Sequence, residues 1–216
     1  MSDYTESVPK LGKTVIIGSG NWGTTLALLF SQKHKVHLWT ISQKEADEIN
    51  QTGENKPFLP GIKLGKNVLV EKKFSREIKS NDVIIIAIPS RKVIDLIDEF
   101  LAAGIEDCII LNASKGVKHS TLLTVGQHFF ARMPKIKFAT LSGPTIAREL
   151  AEGQPAKAVL ASKNVALLLQ LQSRLENDRL KFEFSRDIKG VELAASLKGI
   201  IAIAVGISDG LGFQSN

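Results

Sequence analysis

Residues 13–25 read Lys13-Thr14-Val15-Ile16-Ile17-Gly18-Ser19-Gly20-Asn21-Trp22-Gly23-Thr24-Thr25, and this stretch decides the fold. A short apolar run, Val15-Ile16-Ile17, ends in Gly18, Gly20 and Gly23, and an apolar helical pattern from Leu26 to Phe30 follows. The order is strand, glycine turn, helix. Gly18 permits a tight turn. Gly20 leaves room for a pyrophosphate where any Cβ would collide with it, and Gly23 lets helix and strand pack closely. The helix start turns unpaired N–H groups and its positive dipole end toward the phosphates. A glycine pattern alone is a weak signal, but a strand before it and a helix after it supply the context that predicts a dinucleotide ligand. The competing reading is a glycine-rich turn without a ligand.

Outward from that turn the chain alternates strand and helix. Strand-like runs are Thr14–Ile17, Lys35–Trp39, Val68–Val70, Val83–Ile88, Cys108–Leu111, Phe138–Leu141, Ala158–Leu160 and Leu180–Phe184. Helical patterns lie between them at Asn21–Gln32, Gln43–Gln51, Lys92–Leu101, Leu122–Arg132, Ile146–Glu152 and Val165–Leu175. Short apolar strands separated by helices predict a parallel sheet covered on both faces. The fold class is α/β: a doubly wound, mainly parallel Rossmann-like sheet, followed by the start of an all-α domain. Ligands in such sheets bind beyond the carboxyl ends of the strands. That places Gly18–Gly23, Pro89-Ser90, Ala113–Gly116 and Ser142–Thr145 on one rim.

The division expected is a flexible tail over residues 1–9, a cofactor domain over 10–186 and one long helix opening at Asp187. Asp187 suits the N-cap, and no strand follows. A domain of one helix has no core of its own, so residues 187–216 read as the first helix of a second domain, or of one that a partner completes.

Bulk properties narrow the class. The 216 residues are 44% hydrophobic and 23% charged, an ordinary globular composition. Cys108 is the one cysteine, a strand residue expected in the core, and no disulfide can form within the chain, which fits a reducing cytoplasm. The polar start is not a secretory signal. The apolar stretch Gly199–Ile207 is too short to span a bilayer. The formal net charge of +6 suits either attraction for anionic metabolites or a solvated lysine-rich surface. The lysines are scattered and aromatics make up 6%, which argues against nucleic acid. His34, His37, His119 and His128 are not at ligand spacing, so no metal is expected.

Three groups on or near the rim could do chemistry. Lys115 could hold an anionic or carbonyl substrate, or be a surface lysine at a strand end. Ser142-Gly143-Pro144-Thr145 could bind an anion through free N–H groups at a helix start, or simply begin a capped helix. Lys198 lies in a helix apolar on nearly every side. Burial there would lower its pKa and let it exchange a proton with a carbonyl or alcohol, unless it snorkels to the surface.

Taken together, the motifs resemble NAD(P)-dependent glycerol-3-phosphate dehydrogenase. The resemblance rests on Gly18–Thr24, on Asn55-Lys56-Pro57-Phe58-Leu59-Pro60-Gly61, on Lys115-Gly116 and on Ser142-Gly143-Pro144-Thr145-Ile146-Ala147-Arg148-Glu149. It continues in Gly190-Val191-Glu192…Leu197-Lys198 and Asp209-Gly210-Leu211-Gly212, so nearly the whole chain after residue 12 matches in unbroken order. The resemblance implies interconversion of dihydroxyacetone phosphate and sn-glycerol 3-phosphate, with NADP(H) or NAD(H) as cofactor, a phosphorylated triose as small-molecule partner, and glycerol phosphate supplied for phospholipid synthesis. It is compatible with a homodimer. By that analogy Lys198 is the proton donor and acceptor, Lys115, Gly143 and Thr145 contact substrate, and Gly18, Ser19, Gly20, Asn21, Trp22, Gly23, Ser42, Pro89, Lys115 and Ala147 contact cofactor.

The sequence departs from the family in three places. Gly199 stands where the family carries an asparagine, which removes a polar substrate contact. After the second strand, Trp39-Thr40-Ile41-Ser42-Gln43-Lys44 lacks both the family's basic residues and an acid for an NAD ribose. Ser42 and Lys44 could accept a 2′-phosphate there, which tilts the expectation to NADP(H). The family's later aspartate and its arginine–asparagine phosphate clamp have no counterpart here. A chain ending at Asn216 is expected to bind cofactor with little turnover, and reads as part of a longer enzyme. The alternatives are a related hydroxyacid dehydrogenase, against which the Phe58–Gly61 and Ser142–Glu149 motifs argue, and a non-catalytic NADPH-binding module.

Overall fold

The computed structural model describes residues 11–74, 77–118 and 120–213. The expected N-terminal tail and His119 lie outside the described residues. The elements are β1 (Thr14–Ile17), α1 (Asn21–Phe30), β2 (Val36–Thr40), α2 (Gln43–Thr52), β3 (Val68–Lys72), β4 (Val83–Ile86), α3 (Val93–Ala102), β5 (Ile109–Asn112), α4 (Val125–Arg132), β6 (Lys137–Ser142), α5 (Ala147–Glu152), β7 (Ala156–Ala161), α6 (Val165–Leu175), β8 (Leu180–Ser185) and α7 (Ile188–Gly210). The strands form a single sheet in the order β3-β2-β1-β4-β5-β6-β7-β8. The sequence reverses direction across the sheet between β1 and β4, and the rim beyond that point is where such sheets bind dinucleotides.

The strands alternate their side chains between two apolar layers. Ile16, Val83, Ile85 and Leu111 face a layer with Leu26, Leu29 and Phe30 of α1 and Leu167, Leu168 and Leu171 of α6. Val15, Ile17, Ile84, Ile86 and Ile110 face the other, with Leu96, Ile97 and Phe100 of α3 and Phe129 of α4. Cys108 is buried in that second layer, and burial pushes its thiol up to about 12, as a core residue requires.

Strand direction departs from a wholly parallel sheet at one place. β1 to β6 run parallel, as do β7 and β8, but β6 pairs antiparallel with β7. The intervening α5 has six residues, about 9 Å of helix. It is too short to return the chain along a strand of about 20 Å, so the next strand starts where the last one ended.

Element boundaries shift by a few residues for local reasons. β4 closes at Ile86 rather than Ile88. α4 starts at Val125 rather than Leu122, because Leu122 has φ 57 and Thr124 forms a capping box with Gln127. α5 starts at Ala147, after the Ser142–Thr145 turn.

α7 is capped as expected, with Asp187 Oδ1 accepting the Gly190 N–H at 2.8 Å. It packs on β6 and α4 through its first turns, where Ile188 and Glu192 are buried. Beyond them Ile200, Ile201, Ile203, Val205 and Ile207 are exposed. Over its full 23 residues α7 is long and apolar enough to cross a membrane, which the shorter stretch Gly199–Ile207 did not suggest. Lys198 at its middle and the buried Glu192 near its start suit the edge of a protein core better than lipid.

Candidate active site

The three glycines of the first turn divide the work as their positions require. Gly18 has φ 111, and a Cβ there would stand 2.5 Å from the Ala87 carbonyl oxygen. A Cβ on Gly23 would lie 1.8 Å from the Gly18 carbonyl oxygen, so α1 closes on β1 only with glycine at that place. A Cβ on Gly20 would meet nothing within 4 Å. Gly20 is therefore not required by packing. Its Cβ would stand in the open cradle where a pyrophosphate approaches the start of α1, a helix with no side-chain cap. The residues present fit a dinucleotide on this observation.

Behind the turn, a cavity of about 320 Å³ lies between the ends of β1, β2 and β4 and the start of α3. Gly18, Ser19, Trp39, Thr40, Ile41, Ile88 and Pro89 line it, together with Lys73, Lys92, Asp95 and Glu99. Its position beside β2 matches the adenosine end of a dinucleotide laid across the switch point. Of the residues expected to contact cofactor, Gly18, Ser19 and Pro89 line this cavity. Ser42 instead caps α2, its Oγ accepting the Glu45 N–H at 3.2 Å. Asn21 is exposed at the start of α1. Trp22 packs against the α1 core layer, and its buried Nε1 has no hydrogen-bond partner. Ala147 sits against α1, its carbonyl accepting Thr25 Oγ1 at 3.2 Å, and lines neither cavity described here.

A second cavity, of about 340 Å³, opens where α7 meets the sheet. Lys115, Ser142, Gly143 and Pro144 form its sheet side, and Val191, Ala194, Ala195, Lys198 and Ile201 present one stripe of α7 to it. Two lysines separated by 83 positions in sequence thus converge on one cavity. Partial burial and the neighbouring positive charge of Lys198 hold the Lys115 ammonium below its usual range. A pair of cations facing one space suits a ligand with a phosphate and a carbonyl.

Two of the expected site residues differ in their surroundings. Lys198 is exposed, because the outer face of α7 is bare. Thr145 is buried and outside the cavity lining, and its backbone N–H is already bonded to the Gly143 carbonyl at 2.9 Å. The Ser142–Thr145 turn is also not a helix start. Gly143 has a packing role beside its place in the lining: a Cβ there would meet the β7 backbone at 2.9 Å.

Two buried networks, not read from the sequence, hold these parts. Asn55 Nδ2 donates to the Ser19 carbonyl at 2.7 Å and to Thr24 Oγ1 at 2.8 Å, so the Asn55–Gly61 motif braces the glycine turn. Glu192 accepts Asn112 Nδ2 at 2.8 Å and the Gly126 N–H at 3.1 Å. Asn112 Oδ1 in turn accepts the Ser114 N–H at 3.0 Å. The chain of contacts ties α7, which carries Lys198, to the loop that carries Lys115. Burial pushes the Glu192 carboxyl up, against the pull of hydrogen bonds from Thr124, Gly126 and Asn112. A lone acid in an apolar helix was the available signal, but its partners lie 66 and 80 residues away. Among the described residues no group of three or more His, Cys, Asp or Glu is gathered for a metal.

Comparison with known proteins gives this arrangement a family. Residues 13–168 match the profile of the NAD-dependent glycerol-3-phosphate dehydrogenase N-terminus, and residues 187–216 match that of its C-terminus. The chain belongs to the NAD-dependent glycerol-3-phosphate dehydrogenase family. A relative from Citrifermentans bemidjiense, named glycerol-3-phosphate dehydrogenase [NAD(P)+], is 36% identical over 208 residues, covering 94% of this chain and 62% of that protein. One of the same name from Fusobacterium nucleatum is 35% identical over 210 residues, with the same coverage of 94% and 62%. The chain therefore spans about three-fifths of the length of these relatives. The solved glycerol-3-phosphate dehydrogenase of Coxiella burnetii superposes with a TM-score of 0.85 at 31% identity, covering 96% of this chain and 64% of that one. Membership accounts for the order of the motifs from Gly18 to Gly212, and the Rossmann-like reading of the sheet stands with it.

Proposed function

We propose that this chain carries the dinucleotide site and the proton-transferring lysine of a cytoplasmic glycerol-3-phosphate dehydrogenase. The reaction would interconvert dihydroxyacetone phosphate and sn-glycerol 3-phosphate with NAD(H) or NADP(H). The observation that carries this reading is the convergence of Lys115 and Lys198 on one cavity, at the same rim of the parallel strands β1 and β5 as the open Gly20 cradle. A reduced nicotinamide held there would supply the hydride. Lys198 would give its Nζ proton to the carbonyl oxygen as negative charge develops on it, and take it back in the reverse direction. Lys115 would hold the anionic substrate by charge, and Asn112 and Glu192 would keep the two lysines in register across the α7 contact.

The test is oxidation of NADH and NADPH on adding dihydroxyacetone phosphate, with this chain and its Lys198→Ala variant. Turnover that is lost in the variant supports the dehydrogenase. Consumption only with a carboxylate substrate would indicate the related hydroxyacid dehydrogenase. Dinucleotide binding by both proteins with no turnover would leave a binding module, in keeping with the exposed Lys198. In the turnover-competent protein, Lys115→Ala is expected to raise KM for the phosphorylated substrate more than it lowers kcat.

A further inference from the structure

A third cavity, of about 400 Å³, lies at the far end of α1 from the glycine turn. Ser31, which closes α1 and lines this cavity, stands about 16 Å along the helix axis from Gly20. The cavity shares no residue with either of the two described above. Three cations line it: Lys63 and Lys66 from the segment that leads into β3, and Arg179 from just before β8. Among the described residues no carboxylate lines it. Lys63 is already held, its Nζ donating to the Thr52 carbonyl at 2.9 Å and lying 3.1 Å from Glu54. Lys66 is exposed and Arg179 half-buried, and the side chain of neither has an ion pair or hydrogen bond among the described residues. A Cβ on Gly153 would stand 3.7 Å from the Arg179 guanidinium carbon, which places that group along the end of α5. The backbone N–H groups of Gly65, Lys66 and Asn67, consecutive before β3, are likewise without a partner among the described residues.

We propose that this cavity is a second anion site, which takes a small phosphate-bearing molecule apart from the active site. Cations gathered around one space without acids among them raise the local concentration of anions there. The Arg179 guanidinium offers a planar fork that matches two oxygens of one group, and Lys66 adds a point charge. A carboxylate would occupy the fork and have no oxygen left. A phosphate group has a third oxygen and a second charge for Lys66 and for the N–H groups of Gly65, Lys66 and Asn67. The competing role for these cations is to offset the negative ends of α1 and α5. Those ends are already served. The Ser31 N–H is bonded to the Ala27 carbonyl, Ser31 Oγ to the Leu28 carbonyl at 3.0 Å, and Asn67 Nδ2 to the Ser31 carbonyl at 3.0 Å. The Gly153 N–H closes α5 on the Glu149 and Leu150 carbonyls. Neither helix end therefore accounts for the unmatched Lys66 and Arg179. The site stands independently of the dinucleotide reading of the glycine turn.

The experiment is titration of the 216-residue chain with inorganic phosphate and with ethyl phosphate, at constant ionic strength and with acetate as the control, followed by amide NMR. Phosphate can also enter the cavity of Lys115 and Lys198, so the titration is repeated on Lys115→Ala and on the double variant Lys66→Ala with Arg179→Ala. The amides of Gly65, Lys66 and Asn67 are expected to shift and saturate with phosphate in the unaltered chain and in Lys115→Ala alike. The double variant should weaken that response about tenfold or more, the loss of two charge-assisted contacts, while any shift at Gly116 persists. Lys66→Arg keeps the charge and should bind within about threefold of the unaltered chain. Tighter binding of ethyl phosphate would support a phosphate ester as the occupant, and equal binding would support free phosphate. The proposal is overturned by equal shifts with acetate, by shifts confined to residues 115 and 116, or by a response at residues 65–67 that the double variant leaves intact. It is overturned too if the unaltered chain gives no response there while the double variant loses stability, because the cations then serve the helix ends. If the double variant does not fold, the two single variants decide, each expected to weaken the response about threefold or more.

Discussion

Gly20 and Gly23 are three positions apart, yet a methyl group on each should fail for different reasons. Gly23→Ala would place a Cβ within 1.8 Å of the Gly18 carbonyl oxygen, in a junction of backbone against backbone. Thermal or urea unfolding should report a loss of about 3 kcal/mol, since neither partner can move without opening β1 from α1. Gly20→Ala meets nothing, so its stability should change by no more than about 1 kcal/mol, the difference between glycine and alanine as an N-cap. Its dinucleotide affinity should nonetheless fall at least about tenfold, because the methyl group stands in the cradle. Equal loss of stability in both variants would contradict the division of roles. Asn55→Ala removes the two hydrogen bonds that Asn55 Nδ2 gives to the Ser19 carbonyl and Thr24 Oγ1, leaving that carbonyl only the Thr24 hydroxyl at 3.1 Å. It should cost about 1–3 kcal/mol and weaken dinucleotide binding, which Asn55→Asp should not restore because it supplies no donor at that point.

Among the elements, α7 carries the most contrast along its length. Its first turns are fastened by the Asp187 cap, Ile188 and the buried Glu192, whereas from Lys198 onward it leans on little. Amide hydrogen exchange should therefore show slow exchange at about residues 190–196 and fast exchange beyond about residue 200, with fraying from the far end. Uniform protection along the helix would mean that the far half is covered in solution. The Glu192 contact also sets a pH dependence. Its carboxyl is raised in the folded chain relative to its ordinary value of 4.5, so the folded state binds more protons than the unfolded state between the two values. Its contribution to stability is full below the unfolded value and is lost as pH rises through the folded one. Glu192→Gln cannot titrate, so unfolding measured from pH 7 down to 4.5 should show the unaltered chain gaining on the variant. A difference that is flat, or that falls with acidification, would remove the raised carboxyl from the account.

For the whole molecule, the governing fact is an apolar helix that the sheet domain covers on one side only. Ile200, Ile203, Val205 and Ile207 are each more than half exposed, and contiguous apolar surface of this kind seeks a partner. The chain by itself should self-associate with rising concentration, seen as a growing weight-average mass in sedimentation. Ile200→Lys combined with Ile203→Lys should suppress this while leaving NADH binding unchanged, because neither side chain lines either cavity. A monodisperse monomer at all concentrations would show that α7 is tolerated bare.

The sequence by itself determined the sheet, the glycine turn and the rim, and named Lys115 and Lys198 each as a candidate. Those features depend on local patterns: apolar strands of four to six residues, glycines at fixed offsets and a capped helix, each legible within about a dozen positions. Only the tertiary structure decided what touches what across long separations. The reversal at β7 came from the short reach of α5. Glu45 became a neighbour of Ser19, and Glu192 of Asn112 and Gly126, because the packing of helices on the sheet joins residues 26, 80 and 66 positions apart. The exposure of Lys198 was likewise a tertiary matter. An apolar sequence states that a helix can be buried, and only the presence of neighbouring elements decides whether it is.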